Sequence, residues 1–178
     1  PEYRGKVSLM MIVVPSRDQV EKYKDLKQTV DLLVGRINGK YGTINWTPIH
    51  YFYRSFPLED LSAFYRMADV AMVTPMRDGM NLVAKEYIAS KEISKEGVLI
   101  LSEMAGASNE LTEAITVNPQ DIENMAESIR IALEMNKQEQ AWRLQNMQEK
   151  LKKYDVKHWA NTFLKVQTQL MEEQKNKS

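Results

Sequence analysis

Short apolar runs, bounded by polar or turn-forming residues, recur along the chain and predict buried β-strands. The first, from Val7 to Val14, is continuous, rich in Val, Ile and Met, and closed by Pro15. Such a run is typical of a strand that is covered on both faces. Four further strands are predicted at Pro48–Arg54, Val70–Thr74, Gly97–Ser102 and Ile115–Asn118.

Between these runs, apolar residues recur at steps of three and four, the period of an amphipathic helix. The longest stripe extends from Val20 to Ile37, and we expect this helix to end before Asn38 because Gly39 and Gly42 follow. Further helices are predicted at Leu58–Met67, about Asn81–Lys91, Ser108–Ala114, Asp121–Met135, about Gln138–Lys153 and Val156 to about Met171.

Five short strands that alternate with helices predict right-handed crossovers and a mostly parallel sheet. The expected fold class is therefore α/β, a Rossmann-like sheet flanked by helices, with a helical C-terminal segment. At 178 residues, 43% of them hydrophobic, the chain is long enough to bury a sizeable core.

Charge and cysteine content narrow the classes of function. The 24 basic and 24 acidic side chains cancel, which argues against a nucleic-acid-binding protein. The chain has no cysteine, so disulfides and thiolate metal sites are excluded and a cytoplasmic location is expected. The longest apolar run is too short to span a membrane. The start, PEYRGKVSL, has neither an initiator Met nor a signal-peptide pattern, so we expect it to lie within a longer gene product.

The segment TPMRDGMNLVAKEY (Thr74–Tyr87) follows the third predicted strand, at the edge where open α/β sheets bind ligands. Asp78 could accept hydrogen bonds from sugar hydroxyls, and Glu86 from a ribose diol. Gly79 would permit a backbone path that a residue with Cβ would resist, and would let a ligand come close. The N–H groups of Asn81, Leu82 and Val83 would lie in the first helical turn, unpaired within the helix, and could face an anion such as a diphosphate.

A purely structural interpretation is also open, because Asp and Gly are ordinary turn formers and Asn81 is an ordinary helix cap. Two acids separated by seven residues form a weak motif, so the pattern alone does not decide between the two interpretations.

Longer motifs add a resemblance. VTPMRDGMNLVAKEYIAS resembles the signature of trehalose-6-phosphate synthases, which usually have Leu where this chain has Met76. The similarity extends from about Gly5 to Leu170. Further blocks resemble the family in the family's order: VPSRDQVEKY, VGRINGKYGTINWTPIHY, GVLILSEMAGASNEL, VNPQD and DVKHWANTFL.

The resemblance implies the C-terminal, donor-binding half of a GT-B glycosyltransferase. The family transfers glucose from UDP-glucose to glucose 6-phosphate with retention. Residues 1–154 would form the nucleotide-sugar-binding domain, and 155–172 a helix that packs against the missing N-terminal domain. Residues 173–178 would be a tail or linker. In the full-length protein, a phosphatase domain could follow this segment. Assembly into a homo-oligomer is also possible.

The resemblance also implies residue roles. Asp78 would be the candidate catalytic residue, because it would bind the donor glucose hydroxyls. The backbone groups of Gly79, Met80 and Asn81 would lie beside it. Leu82 and Val83 would offer backbone N–H groups to the diphosphate, and Glu86 would hold the ribose. The backbone of Phe56 would pair with uracil, and Arg17 would reach the acceptor phosphate.

No metal or other cofactor is expected, and His50 and His158 are more consistent with structural roles because they offer no ligand spacing. The family's upstream Arg/Lys pair has no convincing counterpart in PEYRGK, so we expect the isolated chain to be inactive. Two alternatives remain: a transferase with another acceptor, or a non-catalytic regulatory subunit that binds sugar nucleotides. A generic Rossmann dehydrogenase does not fit, since PSRDQ, not a glycine fingerprint, follows the first strand.

Overall fold

The computed structural model describes residues 2–15, 21–91, 96–154, 160 and 163–169. Two compact units can be distinguished along the chain, Pro1–Pro57 and Leu58–Ser178. The elements in chain order are β1 (Leu9–Val13), α1 (Glu21–Tyr41), β2 (Ile49–Tyr53), α2 (Leu58–Met67), β3 (Val70–Val73), α3 (Leu82–Ser90), β4 (Val98–Ser102), a 3₁₀ turn (Gly106–Asn109), β5 (Ile115–Val117), α4 (Ile122–Glu134) and α5 (Lys137–Lys153).

The unit Pro1–Pro57 holds a two-stranded parallel sheet, in which Leu9 of β1 pairs with Ile49 of β2. The strand prediction is confirmed, but the prediction that it is buried is wrong. Leu9 is 40% exposed and Met10 is 43% exposed. The described residues of this unit contain one helix, and a single helix covers only one face of a sheet.

Helix α1 extends further than the sequence predicts, because it continues through Asn38 and Gly39 to Tyr41. The side chain of Asn38 explains the extension. Its amide donates to the Ile49 carbonyl at 2.9 Å, and its Oδ1 accepts from the Ile49 N–H at 3.0 Å. These two bonds fasten the last turn to β2 and offset the cost of a helical glycine, about 1 kcal/mol.

The unit Leu58–Ser178 holds a parallel sheet with strand order β3-β4-β5. Every residue of β4 is buried, and its side chains alternate between two cores. Leu99 and Leu101 belong to the core with residues of α3 and α5, whereas Val98 and Ile100 pack with residues of α4. Helices therefore cover both faces of the sheet, and the predicted α/β class is confirmed.

The short helix predicted at Ser108–Ala114 is wrong in position. The structure instead has the 3₁₀ turn at Gly106–Asn109, after which the Leu111 N–H donates to the Ala107 carbonyl at 2.9 Å. Leu111 is fully buried. Burial of this side chain directs the backbone towards the core, and the helical turn ends before it.

The C-terminal helix is described only in part. Residues 163–169 are helical, and Phe163 and Leu164 are 56% and 57% exposed. The rest of the predicted helix, with Trp159 and His158, lies outside the described residues. Within the described part of the chain, no helix is both long enough and apolar enough to cross a membrane.

Candidate functional site

The predicted site lies in the loop between β3 and α3, at the carboxyl edge of the three-stranded sheet. The Asp78 N–H donates to the Met104 carbonyl at 3.3 Å, and the Gly106 N–H donates to the Asp78 carbonyl at 2.9 Å. Met104 and Gly106, the two partners of Asp78, both lie in the loop that follows β4. The loops that leave two neighbouring parallel strands are thus joined by their backbones at this edge.

Gly106, which the site prediction did not include, has no room for a side chain. A Cβ there would lie 2.8 Å from the carbonyl carbon of Gly79 and closer still to its oxygen. The opposite holds for Gly79. A Cβ on Gly79 would meet no atom within 4 Å, and its φ is not positive.

The prediction that Gly79 is needed for its backbone path is therefore wrong. The structural requirement for glycine falls on Gly106, and the space over Gly79 is open. A glycine in the loop that follows the buried strand β4 (Val98–Ser102), at the ligand-binding edge, is the sequence signal that could have indicated Gly106.

The Asp78 carboxylate organises its own loop. Oδ1 accepts from the Met80 N–H at 3.1 Å and from the Asn81 N–H at 3.0 Å, while Oδ2 accepts from the Asn81 side-chain amide at 2.9 Å. These donors, the Met80 amide foremost, hold the pKa of Asp78 below its usual value. A carboxylate has about four acceptor positions, so Asp78 keeps capacity for roughly one further donor.

Asn81 begins α3 as its N-cap, as the structural interpretation of the sequence allowed. It adopts a left-handed conformation with φ 59°, and its Oδ1 accepts from the Ala84 N–H at 2.9 Å. The backbone N–H of Asn81 lies outside the hydrogen bonds of the helix, as predicted, but it donates to Asp78, so the prediction that it faces a ligand is wrong. Asn81 is 8% exposed, and it joins the acid to the helix.

The first turn of α3 is open to solvent. Leu82 and Val83 are 57% and 45% exposed, and Met80 before them is 56% exposed. The backbone N–H groups of a first helical turn have no carbonyl of their own helix to donate to. Together with the helix dipole, the amides of Leu82 and Val83 form a surface that is suited to an anion.

Glu86 lies one turn further along α3 and lines a groove of about 300 Å³ between α2 and α3. Its Oε2 accepts a hydrogen bond from the Tyr65 hydroxyl at 3.3 Å. Burial, with Glu86 as the next cause, raises the pKa of Tyr65 to about 12, so this phenol stays protonated. Tyr65 was not among the predicted site residues. The remaining residues of the groove are Leu58, Ser62, Arg66, Ala89 and Ser90.

Two further predicted residues belong to the other unit of the chain. Phe56 belongs to the unit Pro1–Pro57, where its ring packs edge-on against Phe52 with centroids 5.6 Å apart. The Arg54 guanidinium lies 4.4 Å from the Phe56 ring centroid. The side chain is therefore structural, and the role proposed for its backbone stays a prediction. Arg17 lies outside the described residues.

Ion binding by side chains finds little support in the described part of the chain. His50 is exposed, and the described residues contain no group of three or more His, Cys, Asp or Glu side chains that could hold a metal ion. No metal ligand set can therefore be assigned from these residues.

A parallel sheet with helices on both faces and a strand–loop–helix site at its carboxyl edge places the unit Leu58–Ser178 in the Rossmann-like α/β class. The sequence profile of glycosyltransferase family 20 matches residues 1–169, and the chain belongs to this family.

Curated relatives are trehalose-6-phosphate synthases. The chain is 52% identical over 164 residues to a bifunctional trehalose-6-phosphate synthase/phosphatase of Thermoproteus tenax, covering 92% of this chain and 22% of the relative. It is 44% identical to a trehalose-6-phosphate synthase of Cronobacter sakazakii, covering 93% of this chain and 35% of the relative. The chain thus spans about a third, or less, of the length of these relatives.

Solved structures agree with the fold. A structure from E. coli, bound with UDP-2-fluoro glucose, has a TM-score of 0.89 at 42% identity and covers 93% of this chain and 37% of its own. An alpha,alpha-trehalose-phosphate synthase (UDP-forming) of Burkholderia xenovorans, in complex with glucose-6-phosphate, has a TM-score of 0.88 at 41% identity, with 92% and 36% covered.

Proposed function

We propose that this chain is the donor-binding part of a retaining glucosyltransferase that moves glucose from UDP-glucose to glucose 6-phosphate, giving trehalose 6-phosphate. The names of the relatives support the reaction class. The observation that carries the proposal is the exposed first turn of α3, which follows Asp78 and precedes Glu86 on one strand–loop–helix segment.

The donor would lie along this segment. A glucose hydroxyl takes the remaining acceptor position of Asp78, above the open backbone at Gly79 and beside Met80 and Asn81. The diphosphate faces the amides of Leu82 and Val83, where the helix dipole favours negative charge. The ribose diol binds Glu86. Hydrogen bonds to an ionised carboxylate are stronger than those between neutral groups.

In the mechanism that we propose, no side chain of this chain acts as a nucleophile. The acceptor hydroxyl attacks the anomeric carbon on the face that the diphosphate leaves, and a phosphate oxygen of the leaving group takes its proton. One C–O bond forms as another breaks, and retention follows. The protein would act by positioning the substrates and stabilising the charge of the leaving group. Asp78 is the catalytic residue in the sense that it holds the reacting sugar.

The remaining assignments belong to the same proposal. The Phe56 backbone would pair with the uracil edge, and Arg17 would hold the phosphate of the acceptor. Residues 1–154 would form the nucleotide-sugar domain, and 155–172 would pack against an acceptor-binding domain like that of GT-B enzymes. Since half of a cleft cannot enclose two substrates, the 178-residue chain alone should show no transferase activity, and turnover by it would refute this point.

A titration of the chain with UDP-glucose, followed by backbone amide NMR, tests the donor site. We expect saturable shifts at Gly79 to Val83 with a dissociation constant near millimolar, about −4 kcal/mol. Glu86→Ala should weaken this binding about tenfold, whereas Glu123→Ala, which removes an exposed acid of α4, should leave it unchanged. GDP-glucose and glucose 6-phosphate report donor and acceptor selectivity. Shifts spread evenly over the unit, or equal behaviour of both variants, would contradict the proposal.

A further inference from the structure

We propose that Tyr65 is a positioning residue for the ribose-binding carboxylate, holding Glu86 ready for the 2′- and 3′-hydroxyls of a nucleotide. This inference rests on the proposed function, because it assumes that Glu86 binds the ribose. It concerns a residue of α2 that carries none of the roles assigned above.

The contact between the two residues joins two helices. The Tyr65 hydroxyl, on α2, donates to Oε2 of Glu86, on α3, at 3.3 Å. For Oε1 of Glu86, the described residues supply no hydrogen bond. A carboxylate offers about four acceptor positions, so Glu86 keeps roughly three for a ligand, whereas Asp78 keeps about one.

The Tyr65 ring is itself held in place. It packs edge-on against the Tyr87 ring, with centroids 6.4 Å apart and planes at 87°. Tyr87 is fully buried, and Tyr65 packs against the same core cluster, so the core holds the Tyr65 ring. A rigid donor thereby reaches a flexible acceptor, because Glu has three rotatable side-chain bonds while the ring position is determined by packing.

Glu86 lines an open groove between the two helices, where an untethered glutamate would sample several rotamers in water. A ligand would then have to immobilise it on binding, at a cost in entropy. The bond from Tyr65 restricts the carboxylate before the ligand arrives. The phenol can serve as this donor at any ordinary pH because it keeps its proton.

A role confined to stability makes a different prediction from a positioning role. If Tyr65 only joins the helices, its loss changes the affinity for all ligands by the same factor. If it positions Glu86, its loss weakens the binding of ligands that carry the ribose hydroxyls more than the binding of ligands that lack them. The ratio of dissociation constants for 2′,3′-dideoxy-UDP and UDP separates the two cases.

The experiment measures this ratio for the 178-residue chain and its variants by amide NMR titration. Tyr65→Phe removes the hydroxyl and keeps the ring that packs on Tyr87. We expect it to lower the ratio about fivefold, the effect of one modest hydrogen bond. Tyr65→Leu, which also removes the ring, should lower the ratio similarly and additionally reduce stability. Tyr23→Phe, on α1, is the matched control and should leave the ratio unchanged.

Each result is decisive. An unchanged ratio in Tyr65→Phe, together with a lowered ratio in Glu86→Ala, would overturn the positioning role and leave the ribose site intact. An unchanged ratio in Glu86→Ala would remove the ribose assignment and this inference with it. If the unsubstituted chain fails to bind UDP at all, the donor site proposed for it is refuted, and the inference falls with it.

Discussion

Asp78 binds Asn81 twice, through the backbone N–H at 3.0 Å and through the side-chain amide at 2.9 Å. Asn81 in turn accepts from the Ala84 N–H and begins α3. The acid that is proposed to hold the sugar therefore also fixes the helix that is proposed to hold the diphosphate. The structural and functional interpretations of Asp78 are compatible, because its three internal bonds leave an acceptor position for a ligand.

Two substitutions of Asn81 should distinguish the contribution of its side-chain hydrogen bonds to stability from the cost of its left-handed backbone conformation. Asn81→Ala loses the cap and places a Cβ residue without a polar side chain at φ 59°, so we expect a loss of about 2 kcal/mol in unfolding free energy. Asn81→Gly loses the same side-chain hydrogen bonds, to Asp78 and Ala84, but carries no Cβ, so it should cost about 1 kcal/mol less than Asn81→Ala. Urea denaturation measures both variants. An equal cost for the two would show that the left-handed backbone is not strained.

The two glycines of the site should respond in opposite ways to a methyl group. Gly106→Ala brings a Cβ against the Gly79 backbone and should destabilise the protein by about 1–3 kcal/mol, because backbone cannot yield as a side chain can. Gly79→Ala meets no atom and should stay within about 0.5 kcal/mol. Thermal or urea unfolding provides the comparison.

Ligand binding gives the second half of that test. Gly79→Ala should weaken UDP-glucose binding without loss of stability, because its methyl group fills the open space over the loop. Unchanged affinity in Gly79→Ala would place the donor away from this residue.

The stability of the protein should depend on the ionisation of Asp78. Its pKa is lowered from 3.8 in the folded protein by hydrogen bonds from Met80 and Asn81. Its contribution is thus fully present above 3.8 and is lost as the pH falls through the lower folded value. The difference in unfolding free energy between the unsubstituted chain and Asp78→Asn should be constant from pH 7 to about 5 and shrink at lower pH. A difference that grows on acidification would contradict the direction of the shift.

Helix α5 should stabilise the turn that follows the 3₁₀ segment. Lys150 Nζ contacts Glu113 Oε1 at 2.7 Å and Thr112 Oγ1 at 2.6 Å, and the Glu113 side chain is only 15% exposed. Lys150→Met should cost about 1 kcal/mol, with a smaller effect at high salt. Lys152→Met removes an exposed charge on the same helix and should stay within about 0.5 kcal/mol. Equal effects of the two would refute a specific role for Lys150.

The apolar pattern predicted the strands and helices well where burial decides the structure. β4 is a continuous apolar run because both faces of that strand are covered, and α2 matches its predicted bounds. The end of α1 was missed because a side-chain bond from Asn38 to Ile49 outweighs the glycine signal. That bond joins residues of different elements and has no local signature in the sequence.

The candidate site was predicted to a similar extent. The position of Asp78 and Glu86 on one strand–loop–helix segment follows from local pattern, and the structure has them there. The contributions of Gly106 and Tyr65 come from other elements, the loop after β4 and helix α2. Only the folded packing brings them to Gly79 and Glu86, so no spacing along the chain could indicate these pairs.

The contact between Gly106 and Gly79 has a consequence for protein engineering. Both sides of it are main chain, so no choice of side chain could restore the fit if either loop gained or lost a residue. An attempt to graft the sugar preference of another enzyme onto this fold would therefore have to exchange residues 74–81 and 103–106 as a matched pair. If residues 74–81 were exchanged alone, their backbone would not fit the backbone of residues 103–106.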